Sequence, residues 1–131
     1  MRLLLDTHVW LWSLLEPTRL RPEAARSLTS PDNEKWLSPI SVWETLLLGE
    51  RGRLRLEPDP EAWVRTQLQR APVRQAQVDQ EIAIQSRRLR TSLQDPADRF
   101  IAATARVHEL TLVTADSRLW RRPDGYAVLR A

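Results

Sequence analysis

Leu3-Leu4-Leu5-Asp6-Thr7 is an apolar run that stops on a carboxylate. Three consecutive leucines bounded by polar residues read as a buried strand, and in open α/β sheets ligands bind just beyond the carboxyl ends of such strands. Asp6 therefore has two readings, N-cap of the following helix or member of a site, and taken alone they are evenly matched. Thr111-Leu112-Val113-Thr114 repeats the pattern, running through Ala115 into Asp116. Two strand ends of this kind make chance capping a poorer explanation.

Outward from the first strand, Val9, Trp10, Trp12, Leu14 and Leu15 fall at helical spacing, and Glu16-Pro17 closes the pattern. Pro22-Glu23-Ala24-Ala25 opens a second helix that Ser30-Pro31-Asp32-Asn33 ends. A short strand over 35–38 precedes a helix opened by Pro39, with Gly49 to Gly52 breaking it. Pro58 and Pro60 mark a linker, and a helix follows from Pro60 to about Arg70. Weak alternation predicts a strand over 73–78, and Asp79 caps a helix carrying Ile82, Ala83 and Leu89. Asp95-Pro96-Ala97-Asp98 has the form of a helix start, with Asp95 at the N-cap, Pro96 at the first helical position and Asp98 in the first turn. After the strand at 111–114 come a short helix over 116–120 and a last strand over 126–129. Strands alternating with helices predict an α/β fold around a parallel sheet of four to five strands. The 131 residues are expected to form a single domain, 1–131.

Cysteine is absent, which excludes a disulfide framework, a thiol nucleophile and a cysteine zinc site, and suits a reducing cytoplasm. No apolar run approaches the roughly 20 residues needed to cross a bilayer, and Arg2 leads into a strand rather than a signal-peptide core, so a cytoplasmic protein with no membrane partner is expected. Lys35 is the one lysine among 20 basic residues. Guanidinium binds phosphate bidentately, so this bias leans toward a polyanionic partner, although a net charge of +3 is modest.

Glu44 lies next to the apolar stripe expected of Ile40, Trp43 and Leu47, and a half-buried carboxylate needs a partner, either an arginine or a metal ion. Asp95 and Asp98 compete for one role; Pro96 makes Asp95 the better cap and leaves Asp98 to project from the first turn. Three or four acids without histidine or cysteine suit a hard cation, Mg²⁺ or Mn²⁺, which takes oxygen ligands and acts on phosphate esters.

Four stretches together carry a resemblance: Leu3-Leu4-Leu5-Asp6-Thr7-His8-Val9-Trp10, Ser38-Pro39-Ile40-Ser41-Val42-Trp43-Glu44, Asp95-Pro96-Ala97-Asp98-Arg99-Phe100-Ile101-Ala102-Ala103-Thr104, and Thr111-Leu112-Val113-Thr114-Ala115-Asp116. In this order and spacing the chain resembles PIN-domain ribonucleases, specifically the VapC-like toxins of toxin-antitoxin pairs. The resemblance implies a three-layer α/β/α domain in which the strand ending at Asp6 lies beside the strand ending at Thr114. It implies that Asp6, Glu44, Asp98 and Asp116 form a catalytic, metal-holding quartet, with Asp116 the less direct ligand. Thr7, Ser41 and Thr114 match supporting hydroxyls, and Arg99 matches an orienting or phosphate-facing arginine. Members of one subgroup carry a histidine just before the Asp-Pro pair, where Ser92-Leu93-Gln94 has none; this touches auxiliary contacts and not the acids.

The implied activity is metal-dependent endoribonuclease cleavage of RNA, with a cognate antitoxin and a second copy of the chain as partners. One alternative keeps the fold as a catalytically weak RNA-binding or regulatory module. Another is a phosphoryl-accepting receiver domain with Asp6 as acceptor, which lacks a well-placed lysine after a late strand. Trp10, Trp12, Trp36, Trp43 and Trp63 are read as core or interface rather than as base-stacking platforms. Trp10 and Trp12 point to different faces. Arg51, Arg53 and Arg55 are read as an RNA path or a solvated edge.

Overall fold

The computed structural model describes residues 1–131 and contains five strands in one sheet. The strands are β1 (Arg2–Leu5), β2 (Glu34–Leu37), β3 (Arg74–Gln75), β4 (Thr111–Thr114) and β5 (Ala127–Arg130). Every neighbouring pair is parallel, in the order β3-β2-β1-β4-β5. The helices are α1 (Thr7–Leu15), α2 (Pro22–Thr29), α3 (Pro39–Glu50), α4 (Pro60–Arg70), α5 (Gln80–Arg88), α6 (Pro96–Val107) and α7 (Ser117–Trp120).

The leucine run explains the layers. Successive strand side chains point to opposite faces. Leu3 and Leu5 accordingly join one core with Val9, Trp10, Leu28 and Val64, under α1, α2 and α4. Leu4 joins the other core with Ile82, Ile101, Leu112 and Leu119, under α5, α6 and α7. All three leucines are essentially inaccessible, and full burial of each stabilises by about 1.5–3 kcal/mol. The result is the α/β/α sandwich expected from the sequence.

From β1 the chain moves outward to β2 and β3, then returns across the sheet to place β4 on the other side of β1. The β1–β4 boundary is thus where strand order reverses, and both strands point their carboxyl ends to the same edge. This order differs from the 2-1-3-4-5 arrangement of flavodoxin-like sheets. It therefore argues against the receiver-domain alternative.

Several local expectations shift. The strand expected over 73–78 is only Arg74–Gln75, a two-residue edge strand, and β2 and β5 are each displaced by one residue from their expected positions. Gly49 does not end α3; it lies inside the helix, where a Cβ would come within 2.7 Å of the Pro60 ring, so its bareness lets α4 begin against α3. Gly52, at φ +69°, makes the turn after α3. The largest correction concerns the buried face of α3. Trp43 is 55% exposed, and the buried residues are Ser41 and Thr45. Val42, Leu46 and Leu48 pack on the first core and Ile40 on the second. Apolar side chains thus flank the helix on two sides while small hydroxyl residues form the face between them. Periodicity of leucine and tryptophan alone does not reveal that arrangement.

Candidate active site

Three of the acids stand at helix starts. Asp6 caps α1 by accepting from the Thr7 N–H at 2.9 Å, Asp116 caps α7 by accepting from the Arg118 N–H at 2.9 Å, and Asp95 caps α6 by accepting from the Ala97 N–H at 2.8 Å. Asp98 follows in the first turn of α6, as the alternation of cap and first-turn acid suggested. Glu44 comes from within α3. These five carboxylates, with Thr7, His8, Trp12 and Arg118, line one cleft of about 370 Å³ at the carboxyl ends of β1 and β4. Capping and site membership are therefore compatible for Asp6, since a cap uses only one of the two oxygens.

Hydroxyl groups hold the acids in place. Thr114 Oγ1 donates to the second oxygen of Asp6 at 2.7 Å and accepts the Asp116 N–H at 3.0 Å, so one threonine at the end of β4 joins both strand-end acids. Thr7 Oγ1 donates to Glu44 Oε1 at 2.6 Å and lies 2.9 Å from Ser41 Oγ. Thr7, Ser41 and Thr114 are all buried. Thr7→Val keeps the shape and removes the hydroxyl that fixes Glu44. Divalent-cation affinity of the cleft is expected to fall about 10–100-fold in this variant, the usual cost of losing an outer support, without loss of the folded circular-dichroism spectrum.

The charge balance of the cleft is unusual. Burial pushes the Asp6 carboxyl above its ordinary value, against the opposing bonds from Thr114 and Thr7. Burial likewise raises Glu44, with Asp6 and Asp95 adding repulsion. Asp98 is pushed up to about 7, first by burial and then by Asp6, Asp95 and Glu44. Asp116 moves the other way, because the Arg118 guanidinium grips it and holds its carboxyl down. Arg118 donates from Nε to Asp116 Oδ1 at 3.1 Å and from Nη2 to Asp116 Oδ2 at 2.6 Å, and reaches Asp98 Oδ2 at 3.5 Å. It is the one guanidinium bonded to the cleft acids.

No three carboxylates or imidazoles converge closely enough to enclose an ion as they stand, and both Asp116 oxygens are committed to Arg118. The donor set nevertheless fits a hard divalent cation, being carboxylate and hydroxyl oxygen with a deficit of positive charge. That deficit has a thermodynamic signature. A carboxyl held near 7 in the folded state and near 3.8 in the unfolded chain makes stability greatest below about 3.8 and lowers it as pH rises toward about 7. The chelated protein is expected to melt at a higher temperature at about pH 5 than at about pH 8, and Mn²⁺ to raise the melting temperature more at the higher pH. A chelated protein that becomes more stable across that range contradicts the charge deficit.

One expected site residue lies elsewhere. Arg99 is 8% exposed, and its guanidinium donates to the carbonyls of Ser86, Leu93 and Leu89 at 2.9, 2.9 and 3.1 Å. The phosphate-facing role expected of it is thereby corrected, because its donors are used in holding the 86–93 segment. Arg118 and Trp12 are cleft residues that the sequence did not single out as such, whereas His8, read as lying beside the site in a surface or packing role, does line it. Arg118 carries only a weak sequence signal, two residues after an acid in a four-residue helix. Trp10 is buried and Trp12 half-buried, consistent with their opposite faces. Of the 51–55 arginines, Arg55 pairs with Glu57 at 2.7 Å, and Arg53 lines a separate, more apolar cleft beside Trp12.

A family model described as PIN domain matches residues 3–125. The chain is 36% identical over 117 residues to ribonuclease VapC22 of Mycobacterium tuberculosis, covering 88% of each chain. Among solved structures it is similar to a toxin-antitoxin complex from Klebsiella pneumoniae, at 25% identity and a TM-score of 0.62 over 96% of this chain and 94% of that one. It is also similar in fold to VapBC2 from Rickettsia felis bound to a promoter DNA fragment, at 16% identity and a TM-score of 0.72 over 100% and 99%. No helix is long and apolar enough to cross a membrane.

Proposed function

This chain belongs to the PIN domain family, and from that premise we propose that it is a metal-dependent endoribonuclease, the toxin of a toxin-antitoxin pair. The observation that carries the reading is the cleft itself: Asp6, Glu44, Asp98 and Asp116, drawn from distant parts of the chain, open into one polar cavity short of positive charge. Relatedness to a named ribonuclease supports RNA as the substrate class.

In this reading Asp6, Glu44 and Asp98 would hold Mg²⁺ or Mn²⁺, with Asp116, gripped by Arg118, the less direct ligand. When bound, such a cation lowers the pKa of water and screens charge on the attacked phosphate. The protein's own groups do the positioning. Thr114 and the Thr7 N–H fix both oxygens of Asp6, the Thr7 hydroxyl, itself bonded to Ser41, fixes Glu44, and Arg118 sets the orientation of Asp116 beside Asp98. The protein is read as cytoplasmic, with a protein antitoxin and a second copy of the chain as partners; the toxin-antitoxin complex among its structural relatives supports the first of these.

The test is RNA cleavage by the purified chain with Mn²⁺, repeated with EDTA and after metal is restored. Cleavage that disappears with chelation and returns with metal supports the proposal. RNA binding without metal-dependent cleavage favours the catalytically weak binding module instead.

A further inference from the structure

Beside the acid cleft lies a second cavity of about 550 Å³ with no hydrophobic residue in its lining. Four arginines, Arg90, Arg118, Arg121 and Arg122, and the hydroxyl residues Thr91 and Ser92 form its walls. Arg118 lines both cavities, so the two adjoin at one guanidinium. Arg90, Arg121 and Arg122 are exposed and have no carboxylate within salt-bridge distance, and what sets them apart from other unpaired arginines such as Arg26 and Arg70 is that they share one cavity.

The cavity walls are tied down by half-buried and buried groups. Asp124 Oδ2 accepts the Arg90 N–H at 2.8 Å and also pairs with Arg106. Arg99, buried and without a carboxylate partner, donates to the carbonyls of Leu89 and Leu93, which brackets the segment carrying Arg90, Thr91 and Ser92. On the other wall, Trp120 receives the guanidinium of Arg121 at 5.2 Å and that of Arg130 at 4.3 Å from its ring.

Resting on the ribonuclease reading, we propose that this arginine cavity binds the phosphates of the single-stranded RNA immediately next to the scissile bond. The lining is polar and cationic, which suits a sugar-phosphate chain and not an apolar peptide face. The position also answers a difficulty: the cleft acids repel a phosphate backbone, so the strand needs cationic contacts outside them. Arg118 is the one guanidinium shared by both cavities and marks where the strand passes from one to the other.

The experiment measures fluorescence anisotropy of a short labelled single-stranded RNA with metal chelated, for the wild-type chain, R121A/R122A and the control R26A/R70A, which removes equal charge from exposed positions on α2 and α4. The first pair is expected to weaken binding at least about tenfold and to reduce the slope of log affinity against log salt by about 0.7 per arginine removed. With metal present, its KM for RNA rises similarly while kcat changes little. Equal weakening by both pairs, or no weakening by R121A/R122A, overturns the proposal. If the wild-type chain binds RNA but never cleaves it, the ribonuclease reading fails while the cavity is still tested by the binding measurement.

Discussion

Replacing Asp6 with asparagine is expected to lower RNA cleavage by more than about 100-fold and to leave the chain at least as stable as before. Loss of an outer support around a metal alone costs about 10–100-fold, and Asp6 is proposed to touch the metal directly. The stability half of the expectation follows from the cleft's electrostatics. Asp6 is kept from ionising easily by burial, and its charge raises the carboxyls of Glu44 and Asp98. An amide has nearly the same shape and retains an oxygen to accept the Thr7 N–H, so the α1 cap survives, while the Thr114 hydroxyl turns to accept from the amide nitrogen instead of donating. A melting temperature equal to or above that of the wild type, together with absent cleavage, separates chemical loss from unfolding. Full metal-dependent activity in this variant sinks the site assignment.

Arg99→Met is expected to do the reverse, destabilising the protein by roughly 1–3 kcal/mol, the cost of leaving buried acceptors without a donor. Methionine fills similar space yet leaves the carbonyls of Ser86, Leu89 and Leu93 without their donor. Arg99→Lys is not expected to restore them, because three acceptors are met by a planar fork that a single ammonium does not reproduce. Urea denaturation measures the loss, and hydrogen exchange localises it to residues 86–93. A change of less than about 0.5 kcal/mol contradicts the structural role assigned here.

The contrast between these two residues shows what sequence conveys. Asp6 and Asp116 were legible because each ends an apolar run before a helix, a local pattern that fixes both the strand and the edge it points toward. Asp95 and Asp98 were separable because Pro96 defines which of them caps. Arg99 follows directly after Asp98 and has a site role by resemblance alone, but one residue along a helix turns a side chain by about 100°. Its direction therefore differed from that of Asp98, and the three carbonyls that capture it come from another part of the chain. The same limit applies to α3. Trp43 and its leucines suggested a buried stripe, whereas packing against α1 put Ser41 and Thr45 inside and brought Glu44 to Thr7. Arg118 was illegible for a related reason, since its partners Asp98 and Asp116 meet only after β4 is placed beside β1.

The charge deficit unites these findings. Three acids are raised, one is held down by Arg118, and uncompensated arginines begin where the acids end. A hard cation in the acid cleft relieves the first condition and frees Arg118 from sole responsibility for the second. Anomalous X-ray scattering from crystals grown with Mn²⁺ tests this most directly. The account predicts a peak in the cleft at about 2.0–2.3 Å from carboxylate oxygens of Asp6 and at least one of Glu44 and Asp98, absent in the Asp6→Asn protein. A chain that cleaves RNA with Mn²⁺ while its peak lies outside the cleft, or that shows no peak there at saturating Mn²⁺, contradicts it.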